Sequence, residues 1–562
     1  MKPDSLLIAL AVVALVGCAS TAATRFDAAP LWNDPDRHPF KDRPNENPPT
    51  LVWDGADHSV FRPISRFFAV DPGGEAANVN SWDEVPDSSW FTNRIGRFPM
   101  SSEEMAAGPC TTPPLDTSAP ITVVSGKSDG ATPGFVVKGL NGQRYLLKVD
   151  DVDQAPRPTA ADAIGARIYY ATGFTVPCNR VVFVDRARLS IAAGATIKTW
   201  TGGKAPFTTA DLDMMLTHAT RLRDGRYRLL ASQWLDGKPI GPWRYEGTRG
   251  DDPNDVIPHE DRRELRGSRL LAAWLGHTDA RAQNTLDTWI DAGHGYGWVR
   301  HDLVDFSDCF GSIWEPVELG RRIGHAYWLD IGAMAADFVT LGVIERPWDT
   351  ARFGRSGKVF GYYAVDDFDP SSWVMEYPNS AFSRMTERDG AWMARIIAHF
   401  TDERLRRIIR TGQLDSRFLE DELFRILRGR RDAILRRYLS RLSPLAQPEV
   451  RADPGGSALC AHDLAVLSGI AAGSRYAATL REGGGPPRQL PVQARGAEVC
   501  VKLPRASPEA DSAAAGDAVV EMSVVARERT PVGLLRVHLR KSRSKVRVVG
   551  LERVPSGAAS AS

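Results

Sequence analysis

Alternating apolar and polar positions predict a series of short strands that begins at residue 121. Turns containing Gly or Asn separate the first three, which is typical of consecutive antiparallel strands. The predicted strands cover 121–124, 134–137, 144–149, 180–184 and 226–234. Between the third and the fourth, Thr159 can cap a helix that Gly173 ends. The pattern therefore predicts antiparallel strands interrupted by one helix.

Helical periodicity takes over further along the chain. Apolar positions at helical spacing predict helices over 260–275, 389–400, 402–410 and 416–442. Within this part, 285–290 and 298–304 flank a Gly-rich turn and predict a hairpin. Alternating runs return beyond residue 457 and predict a small β-rich domain. The fold class is therefore α+β.

The N-terminus carries an apolar run over 6–16 that is too short to span a bilayer and is typical of a signal peptide. The tetrad Leu15-Val16-Gly17-Cys18 resembles the bacterial lipobox. This resemblance implies cleavage before Cys18, its lipidation, and a membrane-anchored exported lipoprotein. Ala19 then implies an outer-membrane protein facing the periplasm, if the source has two membranes. The alternative is a plain secretory signal with an incidental Cys.

The domain organisation follows from these patterns and from composition. At 562 residues the chain predicts two or three domains. We expect a signal peptide (1–18), a flexible tether (19–50), an N-terminal extension (51–120), a strand-rich lobe (121–240), a helical lobe (241–443), a linker (444–456), a β-rich domain (457–555) and a disordered tail (556–562). In an exported chain a Cys460–Cys500 disulfide is plausible, although sequence leaves the connectivity open.

Charge and cysteine spacing narrow the function classes. Lys and Arg total 70 against 69 acidic residues, and this net charge of +1 gives no argument for a nucleic-acid partner. The Cys residues form no C-x-x-C, which argues against a zinc site.

The candidate chemistry lies between residues 277 and 311. His277-x-Asp279 is followed by Asn284, and Asp305-Phe306 comes after the predicted hairpin. Because the hairpin returns the chain, it brings Asn284 beside Asp305. Phosphoryl transfer needs a base for the acceptor hydroxyl, here Asp279, and oxygen ligands for magnesium, here Asn284 and Asp305. His277 and Arg281 would support the loop.

The phosphate-binding candidates lie earlier in the chain. Lys148 at the end of the third strand would hold the phosphates of ATP, with Asp162 on the following helix as its acidic partner. The alternative for each is a solvated surface charge. The turn with Ser125, Gly126 and Gly130 would bring backbone N–H groups to the phosphates, although many hairpin turns contain two Gly residues.

The motif of Asp279, Arg281, Asn284, Asp305, Phe306 and Gly311 resembles the catalytic and activation segments of phosphoinositide 3/4-kinase-like and HipA-type kinases. The resemblance covers about residues 120–440. It implies a bilobal protein-kinase-like fold with an antiparallel β N-lobe over 121–240 and a helical C-lobe over 241–443. It also implies ATP and magnesium as cofactors, and an unidentified phosphate acceptor. Parts of the chain also resemble uncharacterised exported bacterial proteins.

Departures from the kinase pattern keep other functions open. Ser307 stands where the Gly of Asp-Phe-Gly is usual, and Asp162 stands where kinases place Glu. ATP is also scarce outside the cytoplasm. The alternatives are therefore a catalytically inactive pseudokinase-like binding module and a structural envelope lipoprotein.

Overall fold

The computed structural model divides into two compact units of mixed α+β structure. Within the described residues, the larger unit comprises 34–78 and 87–438, and the smaller comprises 26–33, 79–86 and 439–555. The structure describes residues 26, 29–47, 51–70, 73–127, 133–140, 142–150, 153–199, 203–313, 317–453, 456–472, 474–483, 485–504, 517–525, 532–542 and 545–555.

A seven-stranded sheet forms the first half of the larger unit, in the order β5-β8-β4-β3-β2-β6-β7. Its strands are β2 (Ile121–Gly126), β3 (Gly134–Lys138), β4 (Arg144–Val149), β5 (Asn179–Val184), β6 (Leu189–Lys198), β7 (Lys204–Pro206) and β8 (Tyr227–Gln233). The predicted antiparallel pairing of the first three is confirmed, with Val123 opposite Val137 and Val137 opposite Tyr145. Apolar side chains from one face form a core with Leu212 and Leu216.

A second sheet of the larger unit has four strands, in the order β1-β11-β10-β9. Its strands are β1 (Phe40–Lys41), β9 (Lys238–Gly241), β10 (Thr285–Gly293) and β11 (Tyr296–Leu303). The predicted hairpin is confirmed, since β10 and β11 pair antiparallel from Thr285 opposite Leu303 up to the turn.

Helices make up most of the remaining regular structure of the larger unit. They are α1 (Leu51–Ala56), α2 (Arg62–Phe68), α3 (Ser102–Ala107), α4 (Arg157–Thr172), α5 (Thr209–Leu216), α6 (Arg263–Leu275), α7 (Val317–Arg322), α8 (Ile331–Thr340), α9 (Ser380–Ser383), α10 (Glu387–Ile397), α11 (Asp402–Arg410) and α12 (Arg417–Tyr438). A π-helical turn (Asp57–Phe61) joins α1 to α2. The three helices predicted over 389–442 correspond to α10, α11 and α12.

Helix α4 lies at the centre of the larger unit, and nearly all of its residues are buried. Its small side chains, mostly Ala, allow neighbours to pack on every face. The predicted cap at Thr159 is wrong, because the helix begins at Arg157, after Pro156. Proline suits a helix start since its missing N–H is not needed there. Gly173 ends the helix at φ 145°, as the sequence indicated.

One predicted helix proved to be two elements. The stretch 260–275 contains a 3-10 turn (His259–Asp261) followed by α6, with Arg262 in extended conformation between them. The break allows Arg262 to pair with Asp255 rather than continue a helix. Helix α6 then buries Leu270, Leu271 and Trp274.

The smaller unit is β-rich, as predicted for the C-terminal region. Its sheets have the orders β12-β13-β17-β16 and β15-β14-β18-β19-β20. The strands are β12 (Leu445–Asp453), β13 (Gly456–Asp463), β14 (Arg475–Glu482), β15 (Arg488–Leu490), β16 (Val492–Arg495), β17 (Glu498–Leu503), β18 (Asp517–Val525), β19 (Leu534–Ser542) and β20 (Lys545–Val554), with one short helix α13 (Leu464–Leu467). The Cys460–Cys500 disulfide is confirmed on β13 and β17, and a second disulfide joins Cys110 to Cys178 in the larger unit.

Three predicted segments contain structure that the sequence did not indicate. The linker expected over 444–456 contains β12, which pairs with β13. A register shift between Ala446 and Glu449 accommodates Pro448 within this strand. The flexible tether expected over 19–50 contains β1, which pairs with β11. The extension expected over 51–120 is divided, because 79–86 belongs to the smaller unit.

The N-terminal predictions fall outside the described residues. These are the predictions of a signal peptide over 1–18 and of lipidation at Cys18. The predicted disordered tail over 556–562 also lies outside the described residues. Within the part of the chain that is described, no helix combines the length and the apolar character needed to cross a membrane.

Candidate functional site

A cavity of about 740 Å³ in the larger unit is lined by five of the predicted site residues, Lys148, Asp279, Arg281, Asn284 and Asp305. The seven-stranded sheet, the start of α4 and the segment 279–313 line it. Its charged and amide-bearing lining residues include Lys127, Lys148, Asp150, Arg157, Asp279, Arg281, Gln283, Asn284, Asp305 and Asp308. Apolar residues such as Leu146, Leu286 and Val304 line it as well. A cavity of this size can enclose a small organic ligand.

Lys148 lies at the centre of a buried ion triad. Its Nζ is 2.9 Å from Asp162 Oδ2 and 3.0 Å from Asp305 Oδ1, and its side chain is only 5% exposed. Burial alone would lower the pKa of Lys148, but the charges of Asp162 and Asp305 outweigh burial and raise it. Lys148 is therefore a fixed cation, which is the state that binds phosphate.

Asp162 connects this triad to the segment after β11. Its Oδ2 accepts from Lys148, and its Oδ1 accepts the backbone N–H of Phe306 at 2.9 Å. Helix α4 can approach so closely because a Cβ at Gly165 would lie 2.8 Å from Phe306 Cβ. Burial raises the pKa of Asp162 to about 6, against the lowering effect of Lys148. At this short separation an Asp reaches the Lys, although the sequence made its reach doubtful.

The hairpin brings the two predicted metal ligands to one end of the sheet. Thr285 and Leu303 pair at the open end of β10 and β11, and Val304 N donates to Asn284 O at 3.1 Å. Asn284 and Asp305 therefore leave the hairpin side by side, as the sequence pattern predicted. Both side chains line the cavity.

Asp279 is held by its neighbours in the same loop. Asn284 Nδ2 donates to the backbone O of Asp279 at 2.8 Å and to its Oδ2 at 2.9 Å. Arg281 Nε lies 2.5 Å from Asp279 Oδ1. Burial raises the pKa of Asp279; Arg281 opposes this shift, and the nearby Asp308 adds to it. Asp279 is thus a positioned carboxylate with increased proton affinity, as a general base requires.

His277 contacts residues that hold the loop carrying Asp279. Its Nδ1 hydrogen-bonds the hydroxyl of Tyr169 at 2.9 Å, and its Nε2 is 3.4 Å from Asp308 Oδ1. Asp308 Oδ2 accepts the backbone N–H of Asp279 at 2.7 Å and the hydroxyl of Thr278 at 3.1 Å. The contacts of His277 are with Tyr169 and Asp308, and its supporting role stays a prediction.

Three supporting residues were missed by sequence reasoning. Asp308 follows Asp305 by three positions, so its place in the same segment was an available signal. Glu376 accepts from Thr278 at 3.3 Å, and burial together with the charge of Asp279 raises its pKa. Glu376 and Tyr169 are far from the motif in sequence, and no local pattern marks them.

The pKa of Asp305 is shifted in the opposite direction to that of Asp279. Its Oδ1 accepts from the backbone N–H of Ser307 at 3.1 Å and from the Ser307 hydroxyl at 2.8 Å. Burial would raise the pKa of Asp305, but Lys148, Lys127 and the Ser307 bonds together lower it. The backbone N–H and the hydroxyl of Ser307 therefore help to keep Asp305 ionised.

The predicted phosphate-covering turn is only partly described. Ser125 and Gly126 end β2, whereas Gly130 lies outside the described residues. A Cβ at Gly126 would lie 2.8 Å from Ile197 Cδ1 and from Phe207 Cδ2, so packing alone explains this glycine. Among the described residues of the turn, Lys127 lines the cavity, and Ser125 and Gly126 do not.

The donor set of the site fits a hard divalent cation. Asp305 supplies an ionised carboxylate, and the two hydrogen bonds of Asn284 Nδ2 leave its amide oxygen as the group available to a cation. Magnesium prefers such oxygen ligands and usually takes one or two carboxylates together with substrate phosphates.

No protein-family model, curated protein or solved structure matches the chain. The functional argument therefore depends on the geometry of the site.

Proposed function

We propose that the chain is a kinase-like phosphotransferase that binds ATP, or another nucleotide, with magnesium and transfers phosphate to an unidentified acceptor. In this proposal the strand-rich part over 121–240 and the helical part over 241–443 are the two lobes of a bilobal fold. The observation that supports it best is that Lys148, Asp305, Asn284 and Asp279 line one cavity and that Asp162 pairs with Lys148.

Each side chain then has a role that its surroundings suit. Lys148 binds the nucleotide phosphates, and Asp162 orients Lys148. Asp305 and Asn284 would hold the magnesium ion, which neutralises phosphate charge when bound. Asp279 accepts the proton of the acceptor hydroxyl, and Arg281 and Asn284 keep its carboxylate in place. His277 and Asp308 position the loop that carries Asp279.

The proposal includes a location. The lipobox-like tetrad ending at Cys18 favours export and attachment to a membrane by a lipid, facing the periplasm if the source has two membranes. The acceptor would then lie in the cell envelope. Mass spectrometry of the purified N-terminus tests this part, and an unmodified or uncleaved Cys18 would contradict it.

A second candidate is a nucleotide-binding module without turnover. It is favoured by the direct ion pair of Lys148 Nζ with Asp305 Oδ1, which engages the carboxylate that would hold the metal. A phosphotransferase must open this pair when nucleotide and metal bind. A pseudokinase-like module can retain it.

Thermal unfolding with nucleotides tests the proposal. A ligand at 100 times its Kd adds about 2.7 kcal/mol to the free energy of unfolding. We expect ATP with magnesium to stabilise the wild type in this way and the Asp305→Asn variant much less. Asp291→Asn is the matched control, because Asp291 is exposed at the far end of the hairpin.

The outcomes separate the candidates. Absence of stabilisation by any nucleotide contradicts both. Stabilisation that Asp305→Asn removes, without transfer of radiolabelled γ-phosphate to water, to protein or to envelope fractions, supports the binding module. Stabilisation together with such transfer supports the phosphotransferase.

A further inference from the structure

More than half of the exposed large hydrophobic side chains in the described part of the chain lie in two segments of the larger unit. We call these side chains the apolar patch. Its members are Trp53, Val60, Phe61, Ile64, Phe67, Phe68 and Val70 in the first segment, and Met334, Phe338, Val339, Leu341, Val343 and Ile344 in the second. Elsewhere such side chains are few and scattered, which is normal for a protein surface.

The two segments adjoin each other. Helix α2 in the first segment contacts α8 in the second. Helix α8 has a strongly apolar sequence, yet none of its residues is buried. Phe338 is 83% exposed and Leu341, just after the helix, is 88% exposed. A helix of this composition normally buries one face, so its exposed apolar side chains form a candidate docking surface.

We propose that the apolar patch docks the larger unit on a lipid bilayer surface. This inference rests on the lipid attachment proposed at Cys18 and is independent of phosphate transfer. At about 3.3–3.6 Å per residue, the chain between Cys18 and Asp34, where the larger unit begins, extends at most about 55 Å. The bilayer is therefore always within reach of the larger unit, at a high effective concentration.

The composition of the patch suits a bilayer surface. Phe and Trp side chains at the tips of short helices insert into the interface between headgroups and acyl chains. The first segment presents Trp53, Phe61, Phe67 and Phe68. Arg62, whose guanidinium pairs with Asp57 and Glu246, holds the start of α2 to the rest of the unit, so the aromatic residues are presented by an anchored helix.

Vesicle flotation tests the inference with the chain that begins at Ala19. This chain lacks the lipidated Cys and retains every described residue. The vesicles contain phosphatidylethanolamine and phosphatidylglycerol. The patch variants are Phe338→Gln with Val339→Gln, and, separately, Phe67→Gln with Phe68→Gln. The control is Leu140→Gln with Phe418→Gln, because both side chains are exposed outside the patch.

We expect the wild type and the control to float with vesicles to within twofold of each other. Each patch variant should lose at least tenfold in partition coefficient while its melting temperature stays unchanged. Absence of wild-type binding overturns the inference, as does equal binding of the patch variants and the control. A wild-type dimer in vesicle-free solution that both patch variants abolish overturns it too, because a second copy would then cover the patch. Nucleotide stabilisation of the same preparations reports separately on the proposed function.

Discussion

Two groups of buried charges in the larger unit can be compared, one that faces the cavity and one that does not. The first is the candidate site around Lys148. The second, the arginine network, consists of Arg262, Arg263 and Arg266 with Asp255, Glu264 and Asp389. In the network, Arg263 Nε is 3.0 Å from Asp389 Oδ1, and both side chains are almost fully buried. No network residue is among the described residues that line the cavity.

The difference shows that burial and ion pairing do not by themselves indicate a functional site. Arginine stays charged in proteins, so the network holds permanent cations against nearby carboxylates. Carboxylate pKa values diverge in both groups: in the network, burial raises that of Glu264, whereas burial of Asp255 is outweighed by His259 and other nearby groups, which lower its pKa. In the candidate site such carboxylates line a cavity. The pKa of Asp305 is lowered, whereas that of Asp279 is raised. Divergent pKa values beside an accessible cavity are typical of acid–base chemistry.

The largest effect on stability is expected from the network. Asp389→Ala removes the carboxylate that pairs with the buried guanidinium groups of Arg263 and Arg266, and it removes the bond from Thr386 N to Asp389 Oδ2 at the start of α10. We expect the free energy of unfolding to fall by about 3–5 kcal/mol, measured by urea denaturation. Nucleotide-induced stabilisation, as the change relative to the variant without ligand, should survive. If Asp389→Ala lost nucleotide-induced stabilisation, the network could no longer be distinguished from the candidate site by its effect on ligand binding.

In contrast to Asp389→Ala, Asp279→Asn should reduce phosphate transfer rather than stability. The amide keeps the shape of the side chain but cannot accept the acceptor's proton. We expect phosphate transfer to fall by about 10³-fold, equivalent to about 4 kcal/mol of activation free energy. Single-turnover transfer of radiolabelled phosphate measures this effect. Nucleotide binding should stay within a few-fold of wild type, and unchanged transfer would exclude Asp279 as the base.

The pH dependence of stability at Asp252, which interacts with Asp255 of the arginine network, gives a further test of the comparison. Burial raises the pKa of Asp252 to about 6 in the folded chain, so between about pH 4 and 6 the folded state binds more protons than the unfolded state. Wild-type stability therefore falls as pH rises through this window. Asp252→Asn lacks this loss, and we expect its stability relative to wild type to increase by up to about 3 kcal/mol from pH 4 to pH 7. Urea denaturation across this range should show a pH-independent difference if Asp252 titrates normally.

The smallest change in the free energy of unfolding is expected from a substitution of Glu387, two residues before Asp389. Glu387 accepts from Arg437 Nη1 at 2.7 Å and from Nη2 at 2.9 Å, but both side chains are partly exposed. Exposed pairs contribute about 0–1 kcal/mol. Glu387→Gln should therefore change the free energy of unfolding by less than about 1 kcal/mol in the same urea assay. A loss comparable to that of Asp389→Ala would mean that burial does not decide the cost.

Local patterns were sufficient for much of the fold. Strands β2, β3 and β4, the hairpin of β10 and β11, and helices α10 to α12 all follow from periodicity and turn residues. Local patterns failed where a distant partner decides the conformation. The sequence predicted a linker over 444–456, and most of this range forms β12 by pairing with β13.

The site divides in the same way. Asp279, Asn284 and Asp305 belong to one short motif with a hairpin between them, so their spacing alone predicted that they converge. The Lys148–Asp162 pair was proposed from order along the chain, and its reach was uncertain. The close approach of α4 at Gly165 brings Asp162 within bonding distance of Lys148 and of Phe306 N.

The sequence by itself determined the α+β class, the hairpin and the identities of the main candidate site residues, because periodicity and spacing are local properties. Only the tertiary structure decided which charges share a cavity, which carboxylates are shifted up or down in pKa, and that Asp308, Glu376 and Tyr169 support the loop. These properties depend on burial and on charges brought close by folding. Residues far apart in sequence exert such effects only once the chain is packed.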